Sequence, residues 1–423
     1  MKESVLAKPG GDMARKGALR LIQGVREGRS LSDQSGALRA LPVADQARAA
    51  RLAAETLRHQ GRADRVIEAF VNRTPPPQVA DVLRLAVVEM LELGAPAHGV
   101  VGAAVDLTRT LGQRGQAAAG MVNAVLRKAS GFDGWADLPP QELPEWLREP
   151  LLDAYDDAAM TAMEAAHQQG APIDLTLKPG VAPIEGGVLL PTGSLRMQGP
   201  VQVSALPGFD AGDWWVQDAA AALPARMLDA RPGERVADLC AAPGGKTMQL
   251  AATGADVIAI DISEHRLKRV SENLSRCGLT ATIVAADALE WRPDAPLDAV
   301  LLDAPCSATG TIRRHPDMPF VRDGYGVAEL IELQAAMLDH ALSLLRPGGR
   351  LVYATCSLIP DEGEVQIDEA LLRHPGLMVE RPVLDGIDPA WITPEGGLRL
   401  RPDYWADLGG MDGFYMACLR KPA

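Results

Sequence analysis

The sequence predicts an α/β fold in which a parallel sheet follows an all-helical domain and a small connecting subdomain. After residue 214, short apolar runs alternate with glycine turns and helical stretches, as strands and crossover helices do in a parallel sheet. Before residue 130, apolar residues recur instead at three- and four-residue spacing, which is typical of helices. The 423 residues suggest two or three domains, and we expect them at 1–130, 131–212 and 213–423.

Helices are expected through most of the first domain. Two amphipathic stretches occupy 44–60 and 78–93. The three prolines at 75–77 end one helix and allow the next to begin. The glycines of 112–115 predict a loop, which a last helix follows over 121–128.

The connecting subdomain changes character half-way along. Up to residue 170 it combines scattered prolines with another helical stretch. Between 172 and 212, short β-like runs that include 174–178 and 188–191 are separated by glycine and proline. We therefore expect this part to be a small connection that contains β-structure.

The third domain predicts a parallel sheet with helices between its strands. Strands are expected at 235–239, 257–260, 282–285, 299–302 and 350–353. Helices are expected at 246–252, 264–276 and 327–345, the second ending at Gly278 and the third at Pro347-Gly348-Gly349. Residues 413–419 predict one more strand, added at an edge of the sheet.

Composition favours a protein of a reducing, cytoplasmic compartment. The five cysteines show neither CxxC spacing nor the density of a disulfide framework. No apolar run approaches the roughly 18 residues of a membrane helix, and the first 20 residues lack the apolar segment of a secretory signal. No Cys/His set has metal-ligand spacing. We therefore expect no membrane partner and no metal.

Charge is distributed unevenly along the chain. Residues 1–130 hold 19 Lys and Arg against 12 Asp and Glu, a net charge of +7, whereas the remainder carries −20. This asymmetry suggests that the first domain meets a polyanion, although a solvated helical surface would look the same. Arg313 and Arg314 are either phosphate contacts or solvated charges, and His315 is expected to be a loop residue.

The sequence DLCAAPGGKT, residues 238–247, joins the first strand of the sheet to its helix. Its small residues and two glycines let the backbone approach a ligand closely at the positive end of the helix. A P-loop is the alternative, because Gly-Lys-Thr is present. However, Cys240 stands where a P-loop has its first glycine, and Pro243 would stiffen a loop that must wrap phosphates. Since GxGxxG is absent as well, an adenosyl ligand without phosphates fits better.

Two acidic residues follow the next two strands. Asp261, at the end of the second strand, is placed to accept hydrogen bonds from both ribose hydroxyls, as acidic residues do in related nucleoside-binding folds. Asp287, after the third strand, is placed to meet the adenine edge. Either one alone could be a helix cap or a turn residue. The ordered set of three sheet-end features favours a nucleoside site.

Two cysteines fifty residues apart follow the fourth and fifth strands, Cys306 in DAPCS and Cys356 in YATCS. Because ligand crevices lie beyond the carboxyl ends of parallel strands, both thiols and Asp303 are expected in one pocket. Two thiols beside a carboxylate suit a reaction that builds a covalent bond to carbon and then breaks it. Alternatively, each is a small buried hydrophobic residue, which is our interpretation of Cys240, Cys277 and Cys418.

Four motifs in order, AAPGGK, DISEHRLKRVSENL, DAPCSATGTIRRHPD and YATCS, resemble the bacterial Sun-type RNA cytosine-C5 methyltransferases. The N-terminal part, especially MVNAVLRK at 121–128, is similar to the NusB-type helical RNA-binding domain. The pairing resembles the subfamily that acts on 16S ribosomal RNA. The resemblance implies a Rossmann-like sheet that binds S-adenosyl-L-methionine, preceded by an all-α NusB-like domain. We also expect a monomer, and a single-stranded RNA loop as the target, because the base must be unstacked to admit a thiol and the cofactor.

The resemblance also assigns roles to residues. Cys356 would add to carbon 6 of cytosine, Cys306 would assist release, and Asp303 would hold or protonate the ring at N3. The cofactor would contact Cys240, Ala241, Ala242, Pro243, Gly244, Gly245, Lys246, Asp261, Asp287 and Asp303. Cys240 would do so through its backbone.

The residues by themselves leave alternatives open. DNA cytosine-C5 methyltransferases attack with a Pro-Cys thiol, which would favour Cys306 over Cys356. The enzyme could act on transfer RNA, or it could be a methyltransferase for another position, with structural cysteines. A non-catalytic RNA-binding or antitermination protein is a further alternative. It would need a degraded cofactor pocket, whereas every motif position is filled here.

Overall fold

The computed structural model describes residues 11–199 and 201–423. The chain forms two compact units. One contains the described residues up to Gly170 together with the segment Ile312–Gly324, and the other contains Ala171–Thr311 and Tyr325–Ala423. The expected boundaries at 130/131 and 212/213 stay a prediction. Half of the N-terminal stretch that we examined for a secretory signal lies outside the described residues.

The first unit is helical. Its helices are α1 (Gly11–Arg26), α2 (Val43–Arg58), α3 (Gln60–Glu68), α4 (Pro77–Leu91), α5 (Ala97–Arg109), α6 (Gly112–Ala129), α7 (Glu145–Ala154) and α8 (Asp157–Gln169). Helix α4 is buried on nearly all sides, and α1, α2, α5 and α6 contribute to the same hydrophobic core. Pro77 occupies its first turn, where a missing N–H costs nothing.

The predicted loop at 112–115 is wrong, because α6 already begins at Gly112. The glycine signal has another cause. A Cβ atom at Gly115 would lie 2.1 Å from the carbonyl oxygen of Thr108, so this position lets α6 pack closely against the end of α5. The residue is therefore small for packing, and it does not break the helix.

Several arginines of the first unit form ion pairs with buried carboxylates of α4. Arg15 donates to Glu89 at 2.7 Å, and Arg26 pairs with Asp81. Each pair joins one basic and one acidic residue, so the net charge of +7 is unchanged and is carried by basic residues outside these pairs. The exposed basic side chains include Lys16, Arg20, Arg114, Arg127 and Lys128.

The second unit begins with a small antiparallel sheet of β1 (Asp174–Leu177), β2 (Gly187–Leu189), β3 (Leu195–Met197) and β4 (Trp214–Val216), in the order β2-β3-β1-β4. Leu175, Leu195 and Trp214 form its core. A buried ion pair, Arg196 to Asp174 at 2.7 Å, joins β3 to β1. The predicted β-containing connection is thus present.

The large sheet contains β5 (Arg235–Leu239), β6 (Asp256–Asp261), β7 (Thr282–Ala285), β8 (Leu297–Asp303), β9 (Leu345–Thr355), β10 (Met378–Glu380), β11 (Leu398–Leu400) and β12 (Phe414–Arg420). The order is β10-β12-β9-β8-β5-β6-β7, with β11 paired to β12. Strands β5 to β9 are parallel, whereas β10, β11 and β12 run antiparallel to their neighbours.

The remaining helices are α9 (Leu223–Leu228), α10 (Gly245–Ala252), α11 (Glu264–Cys277), α12 (Met318–Val321), α13 (Val327–Leu344) and α14 (Glu364–Arg373). Helix α12 lies in the segment that belongs to the first unit. Helices α13 and α14 pack on one face of the large sheet, and α9 packs on the other. Among the residues that the structure describes, no helix has the length and apolar character needed to cross a bilayer.

Two expectations for the sheet were wrong. Strand β12 is not an edge strand, because β9 pairs with one side of it while β10 and β11 pair with the other. Strand β9 begins at Leu345, ahead of the expected Arg350, because residues of the Pro-Gly-Gly turn are already part of the strand.

The carboxyl ends of the parallel strands form one edge of the sheet. Strand β5 has β6 on one side and β8 on the other, which is the point where the strand order reverses. In register, Leu239 pairs with Leu302, and Asp303 pairs with Ala354. Such a reversal leaves a crevice beyond the strand ends, where ligands of open α/β sheets bind.

Candidate active site

The loop between β5 and α10 has an unusual backbone. Cys240 adopts φ +62° and Gly244 φ +102°, both in the left-handed region that non-glycine residues seldom enter. A Cβ atom at Gly244 would also lie 3.2 Å from Val270 of α11. Burial, together with the carboxylates of Asp303 and Asp261, raises the pKa of the Cys240 thiol to about 12. This thiol stays protonated, so the loop offers a ligand its backbone.

Asp261 holds this loop against the end of β6. The side chain is 2% exposed. Its carboxylate accepts hydrogen bonds from the N–H of Ala242 at 3.1 Å and from that of Ser263 at 3.0 Å, and it pairs with Arg266 at 3.2 Å. The neighbouring Ile262 is 74% exposed. The strand end thus combines a fixed carboxylate with an open apolar surface.

Asp287 follows β7 and is exposed. Its Oδ1 atom accepts a hydrogen bond from the N–H of Leu289 at 2.9 Å, so the residue stabilises a turn. The N–H of Ala286, the preceding residue, donates to the carbonyl oxygen of Asp261 at 3.2 Å. The loops after β6 and β7 are therefore neighbours, as the sequence predicts.

Asp238 lies beneath the loop, near the end of β5, and is completely buried. Thr247 donates a hydrogen bond to its Oδ2 atom at 2.6 Å, whereas Oδ1 has no hydrogen-bond partner among the described atoms. Burial raises the pKa of this carboxyl to about 7. The sequence analysis did not select Asp238 as a site residue.

These features fit a nucleoside ligand. The loop brings backbone close to the ligand position, and the strand end supplies a carboxylate beside the exposed Ile262. Three buried or half-buried carboxylates, Asp238, Asp261 and Asp303, lie around Cys240. Asp261 pairs with Arg266 and Asp303 pairs with Lys246, so part of their charge is neutralised within the protein.

Cys306 and Cys356 are neighbours. Their sulfur atoms lie 3.5 Å apart, and both side chains are half-buried. Cys306 follows β8 by three residues, and Cys356 directly follows β9. The hydrogen bond with Cys356, together with burial, raises the pKa of the Cys306 thiol well above its ordinary value. The structure therefore brings together the two thiols that the sequence selects.

Asp303, the last residue of β8, forms an ion pair with Lys246 in the first turn of α10. The Lys246 ammonium donates to its Oδ2 atom at 2.6 Å, and the lysine side chain is only 11% exposed. The same ammonium lies 5.3 Å from the centre of the Phe414 ring. This pair connects the start of α10 to the strand that leads into Cys306.

A buried polar network, which the sequence analysis did not predict, surrounds the two cysteine loops. Its members lie on β9, on α13 and in the loops after β8 and β9. They are Ser307, Thr309, Gln334, Tyr353, Ser357 and Glu362, all of them buried. The only local signal in the sequence is the serine that follows each cysteine, whereas the partners lie up to 55 residues away.

Comparison with known proteins shows which families the two parts of the chain match. Residues 225–420 match the model of the family described as 16S rRNA methyltransferase RsmB/F, and residues 12–130 match the NusB family. Ribosomal RNA small subunit methyltransferase B of Vibrio cholerae is 39% identical over 351 residues, which cover 77% of both chains. The protein of that name from Pseudomonas syringae pv. tomato is 36% identical over 404 residues, or 88% of both chains.

The chain belongs to the RsmB/F methyltransferase family. It is an RNA methyltransferase that depends on S-adenosylmethionine, and its N-terminal part is NusB-like. A solved structure, that of PH0851, aligns with 98% of this chain and 100% of its own, with a TM-score of 0.72 and 25% identity. The predicted Rossmann-like sheet and helical N-terminal domain are confirmed.

The structure corrects the expectation for Arg313 in this RsmB/F chain. Arg313 is completely buried in the first unit, where its carbonyl oxygen accepts a hydrogen bond from Arg58 at 2.8 Å. It is therefore neither a phosphate contact nor a solvated charge. Arg314 and His315 are exposed in the same segment, which agrees with the loop position expected for His315.

Cys277 and Cys418 of the RsmB/F chain pack in hydrophobic cores. Cys277 ends α11 in the core beneath that helix, and Cys418 lies in β12. Both are buried, as expected. Within the described ranges, no three His, Cys, Asp or Glu side chains are grouped as a metal ion would require.

Proposed function

We propose that this enzyme methylates carbon 5 of cytosine in 16S ribosomal RNA through a covalent bond between Cys356 and carbon 6. The observation that carries the proposal is the 3.5 Å separation of the Cys306 and Cys356 sulfurs beyond the strand that ends in Asp303. The choice of RNA rests on the relatives, which are named ribosomal RNA small subunit methyltransferase B. The expected monomeric state and cytoplasmic location stay predictions.

The chemistry requires a nucleophile because carbon 5 of cytosine is itself unreactive. A Cys356 thiolate adds to carbon 6, so that a carbon–sulfur bond forms and the electron pair of the C5–C6 double bond makes carbon 5 nucleophilic. Negative charge then develops at N3, which Asp303 would hold or protonate. The ion pair with Lys246 fixes the orientation of that carboxyl group.

Release of the product needs a second group. Once carbon 5 carries the methyl group, its remaining proton must pass to a base. The electron pair of that C–H bond then restores the double bond and expels the Cys356 thiolate. Cys306 is adjacent to the leaving sulfur. Its raised pKa supports a protonated thiol, which gives its proton to the leaving Cys356 sulfur and then accepts the proton from carbon 5 in exchange.

When bound, S-adenosylmethionine supplies the methyl group as an electrophile. The residues proposed to hold it are the backbone of the loop from Cys240 to Gly245, Lys246, Asp261, Asp287 and Asp303. Asp261 and Asp303 are anchored by hydrogen bonds or ion pairs at the strand ends, so the protein presents charge without reorganising.

The RNA is proposed to be a single-stranded loop, because a base must leave its stack to meet both a thiol and the cofactor. The NusB-like domain would supply phosphate contacts through its exposed basic residues. On α6 these include Arg114, Arg127 and Lys128.

The test replaces each cysteine separately. Cys356→Ala should be inactive and should form no covalent complex with RNA, because nothing can add to carbon 6. Cys306→Ala should still form the adduct but release it slowly. It should therefore accumulate a protein–RNA complex that survives denaturant and shifts on a gel.

The double variant is the control and should lose the shifted band. A band with Cys356→Ala but not with Cys306→Ala would reverse the two roles. If neither substitution changes activity, the covalent mechanism is wrong and the enzyme methylates another position. Bisulfite sequencing of ribosomal and transfer RNA from cells lacking the gene would identify the target RNA.

A further inference from the structure

Each of the two paired cysteines is followed by a buried serine, and both serines bind one carboxylate. The hydroxyl groups of Ser307 and Ser357 donate to the same oxygen, Oε2 of Glu362, at 2.5 and 2.6 Å. The residues on the C-terminal side of Cys306 and Cys356 are thus attached to a single atom.

The other carboxylate oxygen of Glu362 holds the Cys306 loop more tightly. Oε1 accepts hydrogen bonds from the N–H of Ser307 at 2.8 Å and from the side-chain amide of Gln334 at 2.9 Å. That same amide nitrogen of Gln334 donates to the carbonyl oxygen of Pro305 at 2.9 Å. The residues before and after Cys306 are therefore both fixed, one through Gln334 and one directly.

Glu362 is itself anchored to the strand that leads into Cys356. Its carbonyl oxygen accepts hydrogen bonds from the hydroxyl groups of Tyr353 and Thr355, each at 2.9 Å. Both residues belong to β9. Glu362 thus adds a second link to the hydrogen bonds that join the two cysteine loops directly, from the N–H of Gly310 to the carbonyl oxygen of Cys356 at 2.9 Å and from the N–H of Leu358 to Thr309 at 2.9 Å.

This arrangement is costly to build. Glu362 is completely buried, and a buried carboxylate is tolerated only when donors satisfy it. An apolar side chain would fill the same volume without that desolvation cost. The buried carboxylate of Glu362 gives both cysteine loops one common hydrogen-bond acceptor.

We infer that Glu362 is a positioning residue that sets the separation of the Cys306 and Cys356 sulfur atoms, an inference that rests on the proposed function for its catalytic consequence. It acts through Ser307 and Ser357 and does not touch the reacting atoms. Because rates fall by about a hundredfold for misplacements near 1 Å, a looser loop pair would move Cys306 away from the leaving Cys356 sulfur and would release the product slowly.

Two substitutions separate position from charge. Glu362→Gln keeps the shape: its oxygen can accept the Ser307 and Gln334 donors, and its amide can donate to the serine hydroxyls, which rotate. Glu362→Leu fills similar volume but leaves those donors unpaired. If the leucine variant fails to fold, Ser307→Ala/Ser357→Ala removes both hydroxyl bonds instead.

The matched control is Gln366→Leu. Gln366 is buried on α14 and donates to the carbonyl oxygens of Ile331 and Asp361, at 3.0 and 3.2 Å. Its loss removes buried hydrogen bonds nearby without touching Ser307 or Ser357. Any effect that merely reflects stability should appear equally in this control.

The first measurement needs neither RNA nor cofactor. Phenylarsine oxide bonds to two thiols at once, replacing two S–H bonds with two As–S bonds and releasing water, so it binds tightly only where two sulfurs are close. Wild type, Glu362→Gln and Gln366→Leu should bind it alike, and Cys306→Ala should not. Glu362→Leu should bind about a hundredfold more weakly, because the second bond loses its proximity advantage.

The second measurement is the rate of product release with Cys306 retained, because Cys306 is proposed to assist that step. Glu362→Leu should release the product about a hundredfold more slowly and should accumulate the covalent RNA complex, as Cys306→Ala does, whereas Glu362→Gln and Gln366→Leu should not. Arsenical binding by Glu362→Leu as tight as that of wild type would overturn the inference. Loss of arsenical affinity without any adduct in the Cys306→Ala enzyme would leave the positioning role standing and refute the proposed mechanism.

Discussion

Asp238 makes the stability of the protein depend on pH in a direction that can be calculated. Its carboxyl is fully buried, and its pKa is raised from the ordinary 3.8 to about 7. The folded state therefore binds a proton more tightly than the unfolded state, and folding stability falls as pH rises between these two values. Below pH 3.8 both states are protonated and the penalty vanishes, whereas above pH 7 it is complete, at about 4 kcal/mol.

Asp238→Asn removes this ionisation. Asparagine can still accept the hydrogen bond from Thr247, so the local geometry should persist. The free energy of unfolding of wild type, relative to the variant, should fall by about 2 to 3 kcal/mol between pH 5 and pH 8. Urea unfolding of the protein without cofactor, measured at several pH values, gives this difference directly.

The control removes an exposed carboxyl from the neighbouring strand. Asp256 lies at the start of β6 and is exposed, so Asp256→Asn should give a pH dependence close to that of wild type. Parallel curves for wild type and Asp238→Asn would refute the reasoning. They would mean that a charged Asp238 is stabilised inside the protein by something other than Thr247.

Further predictions concern the cofactor, the packing of the site and the RNA. Asp261→Ala should weaken S-adenosylmethionine binding by about 1.5–3 kcal/mol, the usual contribution of a charged hydrogen bond; unchanged affinity in calorimetry would exclude this carboxylate from the site. Gly310→Ala should destabilise the enzyme by about 3 kcal/mol, because its Cβ atom would lie 2.0 Å from the carbonyl oxygen of Gly413; an unchanged melting temperature would contradict this packing. The double variant Arg127→Glu/Lys128→Glu should weaken RNA binding and flatten its dependence on salt, with cofactor affinity retained; an unchanged salt slope would show that RNA binds elsewhere.

The parallel strands could be predicted because each is a short apolar run between glycine turns. Thr282–Ala285 and Arg235–Leu239 have the expected limits. The neighbours of β12 could not be predicted in this way. Strands β10 and β11 have three residues each, too few for a periodic pattern, and they exist because β12 offers unpaired backbone groups.

The candidate site also has residues that the sequence motifs indicated and residues that they did not. Motifs that are continuous in sequence led to the proposed cofactor loop and to Asp303, and they predicted that Cys306 and Cys356 would be neighbours. The sequence motifs did not indicate Glu362 and Gln334, because their contacts with the cysteine loops join residues that are 28 to 55 positions apart in the chain. The burial of Arg313 could not be predicted for a related reason. An arginine in a polar stretch of sequence gives no local signal of burial, which depends on contacts made in the folded chain.

The insertion of Ile312–Gly324 into the first unit has a consequence for folding during synthesis. The N–H of Leu31 donates to Asp317 at 2.7 Å across 286 residues of chain, and Met318 and Pro319 of this segment are buried. An N-terminal domain usually folds while the rest of the protein is still being made. Here the hydrophobic core of the helical unit, as the structure describes it, contains no residue of the inserted segment, so the core can form early. The surface that the segment covers stays exposed until Gly324 has been synthesised.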